Sequence, residues 1–101
     1  MSGGMRKRAG LARSLILNPE IILYDEPTTG LDPYTARDIS ELIVEVQESY
    51  NASSIIVTHD MKCTETVSDM VCLLHQGRFI AEGRFSDLVR HEDEQVREYF
   101  I

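Results

Sequence analysis

The sequence has few cysteines and no long apolar run, and each shortage excludes a class of protein. Cys63 and Cys72 are the two cysteines among 101 residues, in neither a C-x-x-C pair nor a disulfide-framework spacing. They are predicted to be buried, reduced thiols, which is typical of a cytoplasmic protein. No apolar run approaches the length of a membrane-spanning helix. The hydrophobic share of 43% is ordinary and favours one small globular domain, or part of a larger one, over disorder.

Charge is distributed unevenly along the chain. The formal net charge is −7 at pH 7, and all seventeen acids follow residue 17. An acidic body argues against general nucleic-acid binding. The basic run Arg6-Lys7-Arg8 is the local exception, and such a run is ordinarily a solvated face, so no catalytic role is assigned to it. Its place near a helix N-terminus opposes the helix dipole and is compatible with a nearby phosphate or acidic partner.

Apolar patterning predicts an α/β fold. A helix is predicted from Gly4 to Leu17, and the short apolar runs Ile21–Tyr24 and Ser54–Thr58 predict two buried strands. The helix between these strands starts after Asp32, so strand, helix and strand form a parallel βαβ unit. The other predicted elements are a helix over 61–68, a hairpin of strands over 71–75 and 78–82, and two short acidic helices over 86–90 and 93–100.

Asp25 and Glu26 come directly after the first predicted strand. Open α/β sheets bind ligands at the carboxyl ends of their strands. One carboxylate there can hold a metal ion through water while the other faces a reacting water, which are the two tasks of phosphoryl transfer. The alternative is a pair of surface acids in a turn, and the apolar run before them with Pro27 after them makes that interpretation weaker.

Ser2, Gly3 and Gly4 form a second candidate site at the start of the first helix. A helix N-terminus with a hydroxyl and two glycines leaves backbone N–H groups available for an anion. In isolation the pattern is short, and a capped helix with a flexible lead-in explains it equally well.

His59 and Asp32 are the remaining candidates. A single histidine is more often structural than functional. Here it ends a strand parallel to the one that ends in Asp25-Glu26, so both strand tips are expected to face one crevice. Asp32 has an ordinary structural role as a helix N-cap, which it can fill in any function.

Taken in order, these short motifs resemble the signature, Walker B, D-loop and switch-histidine series of ABC-transporter ATPases over essentially the whole chain. The resemblance implies that Ser2, Gly3 and Gly4 bind the γ-phosphate of ATP held by a second subunit in a head-to-tail dimer. It implies that Asp25 acts on Mg²⁺ and Glu26 polarises the attacking water. Asp32 would signal across the dimer, and His59 would contact the γ-phosphate.

The same resemblance extends to partners and location. Met5 stands where many relatives have glutamine, and the run Ser2–Arg8 looks most like the subfamily that energises Mla/Mce-type lipid or solvent-tolerance transporters. The implied partners are transmembrane permease subunits, with the chain peripheral at the cytoplasmic face of the inner membrane and with no nucleic acid bound.

The main departure from the family is the missing phosphate loop. The sequence contains no G-x-x-x-x-G-K-[ST] segment, and Lys7 and Lys62 are its only lysines. The predicted fold is therefore a partial P-loop NTPase fold, a mostly parallel sheet with flanking helices and a C-terminal hairpin, lacking the Walker A strand and loop. In this prediction residues 1–101 form the C-terminal portion of one ATPase domain, divided into 1–18, 19–83 and 84–101.

Two functions remain open from the sequence. The chain is either the C-terminal part of an ATP-hydrolysing transport subunit or a non-catalytic fragment that acts only as a partner-binding module. A split gene, a late start at Met1 and a truncation all explain the missing loop. By the resemblance, the absent strand lies between the strands 54–58 and 71–75, so these two strands are predicted not to pair with each other.

Overall fold

A computed structural model describes residues 2–101, so Met1, the candidate late start, lies outside the described residues. The chain divides into two compact units, the first ending at Val67 and the second running from Ser68 to Ile101. Each unit has its own two-stranded sheet and its own apolar core.

The first unit begins with helix α1 (Gly3–Ile16). The hydroxyl of Ser2 accepts a 3.1 Å hydrogen bond from the amide of Met5, as the capping prediction required. The helix ends just before Asn18, whose positive φ of 51° turns the chain out of the helical path. Its limits therefore differ from the prediction by one residue at each end.

A parallel βαβ unit follows, formed by β1 (Ile21–Asp25), α2 (Pro33–Ser49) and β2 (Ser53–Val57). The register pairs Ile21 with Ser53 and Asp25 with Val57, so the two strands end side by side. The prediction that His59 ends the second strand is wrong by two residues, since β2 stops at Val57 and His59 lies in the loop beyond it.

The two strands are covered on one face only, which refines the prediction of buried strands. Ile22 and Tyr24 face the core, whereas the Leu23 side chain between them is 73% exposed. Successive strand residues point to opposite faces, and within the described residues helices cover only one of them. The core side chains of this unit come from β1, α2 and the short helix α3 (Met61–Val67), and they are Ile22, Tyr24, Ile39, Ile43, Val46, Cys63 and Val67.

The second unit is a hairpin with two short helices. Strands β3 (Val71–His75) and β4 (Arg78–Gly83) pair antiparallel with an irregularity between Leu73 and Leu74. Gln76 and Gly77 connect them with φ values of 49° and 78°, the double left-handed turn that matches the twist of a hairpin. The helices α4 (Phe85–Leu88) and α5 (Glu94–Glu98) complete the unit.

Val96, Tyr99 and Phe100 pack the C-terminal segment of the second unit against the rest of that unit. Val96 is 1% exposed, Tyr99 contacts His75, and the rings of Phe100 and Phe85 meet edge to face at 5.1 Å. Cys72 corrects one expectation, because its side chain is exposed on β3 while Cys63 in the first unit is buried.

The predicted fold class is confirmed in its main features. The described residues form an α/β arrangement with a small parallel sheet and a C-terminal antiparallel hairpin. The strand orders are β1-β2 and β3-β4, so no ladder joins β2 to β3 in the part of the chain the structure describes. Among residues 2–101 no helix is long and apolar enough to cross a membrane.

Candidate functional site

The tips of β1 and β2 bring the predicted catalytic residues together. Asp25 pairs with Val57 at the last position of the ladder, and the amide of Glu26 donates a 2.8 Å hydrogen bond to the carbonyl of Val57. The chain then leaves both strands in the same direction because the strands are parallel. Glu26 and His59 thus meet although 33 positions separate them.

The Glu26 carboxylate is held by two neighbours. Its Oε1 lies 2.8 Å from Nδ1 of His59, and its Oε2 accepts a 3.0 Å hydrogen bond from the hydroxyl of Thr29. The contact with His59 lowers the pKa of Glu26 below its ordinary value, and Thr29 adds to the effect. His59 is 81% exposed and Glu26 is 33% exposed, so water reaches the pair. The arrangement presents an ionised carboxylate that can accept a proton or orient water.

The backbone of Glu26 is also unusual. Its φ of 47° is in the left-handed region, which residues other than glycine rarely adopt. Its carbonyl oxygen accepts a 2.9 Å hydrogen bond from Nζ of Lys7. Lys7 thus departs from the solvated face predicted for the basic run, because its ammonium reaches from α1 to the backbone that follows β1. That the run has no catalytic role stays a prediction.

Asp60 is a site residue that sequence reasoning missed. Its Oδ2 accepts a 2.7 Å hydrogen bond from the buried hydroxyl of Thr28, and its Oδ1 accepts from the amides of Lys62 and Cys63 at 3.0 and 3.2 Å. Burial raises the pKa of Asp60, but the hydrogen bonds outweigh it and hold that pKa below its ordinary value. An aspartate directly before the apolar start of a helix was the available signal, since that is a typical N-cap.

Asp32 occupies the capping position that its sequence context predicted. It accepts hydrogen bonds from the hydroxyl and the amide of Thr35, at 2.6 and 3.1 Å, at the start of α2. These bonds lower the pKa of the exposed Asp32 carboxyl. The role in signalling across a dimer stays a prediction.

Ser2, Gly3 and Gly4 lie at the start of α1, close to the loop that follows β1. A Cβ atom on Gly3 would lie 2.9 Å from Cδ2 of Leu31, and one on Gly4 would lie 2.7 Å from Cγ2 of Thr35. Gly4 therefore allows a close approach to the short, branched side chain of Thr35, whereas the end of the flexible Leu31 side chain could move aside for a Cβ atom on Gly3. The hydroxyl of Ser2 caps the helix, and the contact with a γ-phosphate stays a prediction.

Asp25 is the predicted metal-binding residue. It is exposed, and with Lys7 it lines a cavity of about 330 Å³ bordered by residues of α1, β1 and α2. Among residues 2–101 no group of three or more histidine, cysteine or acidic residues could hold a metal ion. Asp25 therefore fits Mg²⁺ only in the usual binding mode of that ion, in which one or two carboxylates act together with water and substrate phosphates.

Comparison with known proteins gives a consistent result. The protein-family model described as ABC transporter matches residues 1–29. The chain is 41% identical over 88 residues to the methionine import ATP-binding protein MetN of Bartonella henselae, covering 87% of this chain and 26% of that protein. It is 41% identical over 99 residues to the probable ribonucleotide transport ATP-binding protein mkl of Mycobacterium tuberculosis, covering 98% of this chain and 28% of that protein.

Solved structures show the same relationship. The structure of cbiO1 from Clostridium perfringens, part of the ABC transporter complex cbiONQ, superposes with a TM-score of 0.83 at 35% identity, over 97% of this chain and 39% of that one. The dimeric ATP-binding cassette MJ0796, bound to ADP and Pi in a post-hydrolysis state, superposes with a TM-score of 0.71 at 33% identity, over 84% of this chain and 36% of that one.

The chain spans between a quarter and a third of the length of the two sequence relatives, at 26% and 28%. The chain is thus similar to ATP-binding subunits of ABC transporters over the residues that match, and it has part of the ABC ATPase fold.

Proposed function

We propose that this chain forms the C-terminal part of the ATP-hydrolysing subunit of an ABC transporter, coupling ATP binding and hydrolysis to transport. The observation that carries the proposal is the 2.8 Å contact between Glu26 and His59 at adjoining strand tips. It supplies an ionised carboxylate and an imidazole in one water-accessible crevice, as general-base positioning of a water requires.

In this proposal Glu26 polarises the attacking water and His59 contacts the γ-phosphate. Bound Mg²⁺ would neutralise charge developing on the phosphates, and Asp25 would hold it through water. The chain's own contribution is to fix the Glu26 carboxylate through Thr29 and His59.

The proposed partner is a second ATPase subunit in a head-to-tail dimer. Ser2, Gly3 and Gly4 would bind the γ-phosphate of ATP held by that subunit, through the N-terminus of α1. Asp32 lies at the start of α2 and would signal between the subunits. The likeness to MJ0796, a dimeric ATP-binding cassette, supports this arrangement.

Transmembrane permease subunits are the second proposed partner, with the chain peripheral at the cytoplasmic face of the inner membrane. The likeness to cbiO1, part of an ABC transporter complex, supports an assembly of this kind. The relatives named above concern methionine import and ribonucleotide transport. These names favour a small polar substrate. The Mla/Mce-type lipid transport suggested by the run Ser2–Arg8 has no support among them.

A hybrid protein tests the proposal. Residues 1–101 would replace the matching segment of MetN from Bartonella henselae, which supplies the remainder of an ATP-binding subunit. We expect the purified hybrid to bind ATP and to hydrolyse it in the presence of Mg²⁺. A monodisperse hybrid that binds ATP but turns it over no faster than its Glu26→Gln variant would contradict the proposal and favour the non-catalytic, partner-binding alternative.

A further inference from the structure

Lys7 differs from its two basic neighbours in burial and in contact. Arg6 and Arg8 are exposed, whereas Lys7 is half-buried. Its Nζ donates a 2.9 Å hydrogen bond to the backbone carbonyl of Glu26, 19 positions away. The ammonium therefore contacts the loop that carries the proposed catalytic carboxylate.

That loop needs contacts that hold its backbone. The left-handed φ of 47° at Glu26 is a strained conformation for a residue with a side chain, and it persists only where the surroundings fix it. The amide of Glu26 is bound by Val57 of β2, and its carbonyl accepts from Nζ of Lys7 and, at 3.3 Å, from the amide of Thr29. Lys7 thus supplies the contact from α1 that complements the one from β2.

The ammonium acts on the backbone and not on the carboxylate. Within residues 2–101 the one basic side chain within salt-bridge distance of the Glu26 carboxylate is His59, so this carboxylate does not pair with Lys7. The ammonium of Lys7 donates to the carbonyl oxygen of Glu26. The Glu26 carboxylate contacts His59 and Thr29 instead.

Helix geometry connects this contact to the glycines at the start of α1. Gly3 and Lys7 are four residues apart and lie on the same helix face. Gly3 approaches Leu31 on that face, and Lys7 reaches Glu26. One face of α1 therefore adjoins both ends of the loop that follows β1.

We infer that Lys7 is a positioning residue, which holds the left-handed backbone of Glu26 and so ties the direction of its carboxylate to the place of helix α1. The importance of this link for catalysis rests on the proposed function. If α1 moves and this contact breaks, the backbone of Glu26 loses a constraint. Its carboxylate then changes direction although no residue of α1 contacts the carboxylate.

Amide hydrogen exchange on the full 101-residue chain tests the inference without nucleotide. Lys7→Met keeps the apolar stem and removes the donor, Lys7→Arg keeps a cation with N–H donors, and Lys62→Met is the matched control at the only other lysine. The reporters are the amide of Glu26 and, as an internal reference, the amide of Ile43 in the middle of α2.

In Lys7→Met we expect protection of the Glu26 amide to fall about tenfold while protection of Ile43 is unchanged. Lys7→Arg and Lys62→Met should keep Glu26 protection at the parent level. Unchanged protection at Glu26 in Lys7→Met would overturn the inference. An equal loss at Glu26 and Ile43 would also overturn it, because Lys7 would then serve only general stability. Since no ATP is used, these outcomes do not depend on whether the hybrid protein hydrolyses ATP.

Discussion

The hydroxyl of Thr28 donates a 2.7 Å hydrogen bond to Oδ2 of Asp60, a residue 32 positions further along the chain. Thr28 belongs to the loop after β1, and Asp60 precedes α3 in the loop after β2. This bond joins the two loops beside the contact between Glu26 and His59. Two side-chain links therefore span the strand tips, and the one between Glu26 and His59 is catalytic in our proposal while the one between Thr28 and Asp60 is structural.

The Asp60 link makes the first unit sensitive to acid. Because the folded state lowers the pKa of Asp60, the stabilisation is present above the ordinary aspartate pKa of about 3.9 and is lost as pH falls through the folded pKa. Asp60→Asn keeps a capping side chain that does not titrate, so we expect weaker dependence of unfolding free energy on pH below about 5. Urea unfolding across that range measures it, with Asp69→Asn, at an exposed position, as the control. Equal pH dependence in parent and Asp60→Asn would contradict the assignment.

Two glycines in the same helix should respond to alanine in opposite directions. Gly4→Ala places a Cβ atom 2.7 Å from Cγ2 of Thr35, and this β-branched side chain is fixed by its hydrogen bond to Asp32. We expect a loss of about 1–3 kcal/mol in unfolding free energy. Gly10→Ala meets no atom within 4 Å and should stabilise by about 0.5–1 kcal/mol through helix propensity. Urea denaturation midpoints check both, and a stable Gly4→Ala variant would contradict the close approach.

Glu26→Gln tests the carboxylate in the hybrid protein. The amide keeps the shape and the contact with Thr29 but loses the charge that orients water, so turnover should fall by at least about 10²-fold. ATP binding should persist, and a nucleotide-bound dimer should accumulate, which size-exclusion chromatography with ATP detects. Near-normal turnover would remove Glu26 from the mechanism.

His59→Ala tests the partner of that carboxylate. The variant removes the group 2.8 Å from Oε1 of Glu26, and we expect turnover in the hybrid to fall by about 10²–10⁴-fold while ATP affinity changes much less. His91→Ala is the matched control, because His91 accepts a hydrogen bond from Asp93 in the second unit and is remote in sequence from the site. The assignment of His59 fails if both variants lose activity equally.

The 101-residue chain alone should not hydrolyse ATP. The phosphate loop supplies most contacts to the β- and γ-phosphates, and the sequence contains no such loop. An ATPase assay on monodisperse chain with Mg²⁺, run beside Glu26→Gln as a control for contamination, measures this. Activity that disappears in Glu26→Gln would mean that the chain carries another phosphate-binding element.

Local patterns predicted most of the fold. The order of helices and strands followed from apolar periodicity, caps and the turn at Gln76-Gly77, and most limits agree within two residues. Which strand residues are buried was harder to predict from the sequence. The alternation that leaves Leu23 exposed beside Ile22 depends on which sheet face is covered, and a short apolar run does not encode this.

The site was predictable where chemistry and strand position coincide. Glu26 and His59 were placed in one crevice because parallel strands end at one edge. The sequence did not reveal Lys7 as a backbone contact, because a lysine in a basic run is indistinguishable from its solvated neighbours until the helix is placed against the loop. The link from Thr28 to Asp60 depends on tertiary structure in the same way.

The register of the parallel strands has a consequence for the order of folding. Each residue of β1 pairs with one 32 positions later, as Ile21 does with Ser53, so this ladder forms only after a long chain closure. The hairpin in the second unit joins His75 to Arg78 across a two-residue turn, and hairpins of this kind form in about 1–10 μs. The amide of Glu26 is bonded only when β2 has docked, so the turn that directs the proposed catalytic carboxylate should be among the last local structures to acquire protection during refolding, well after the hairpin.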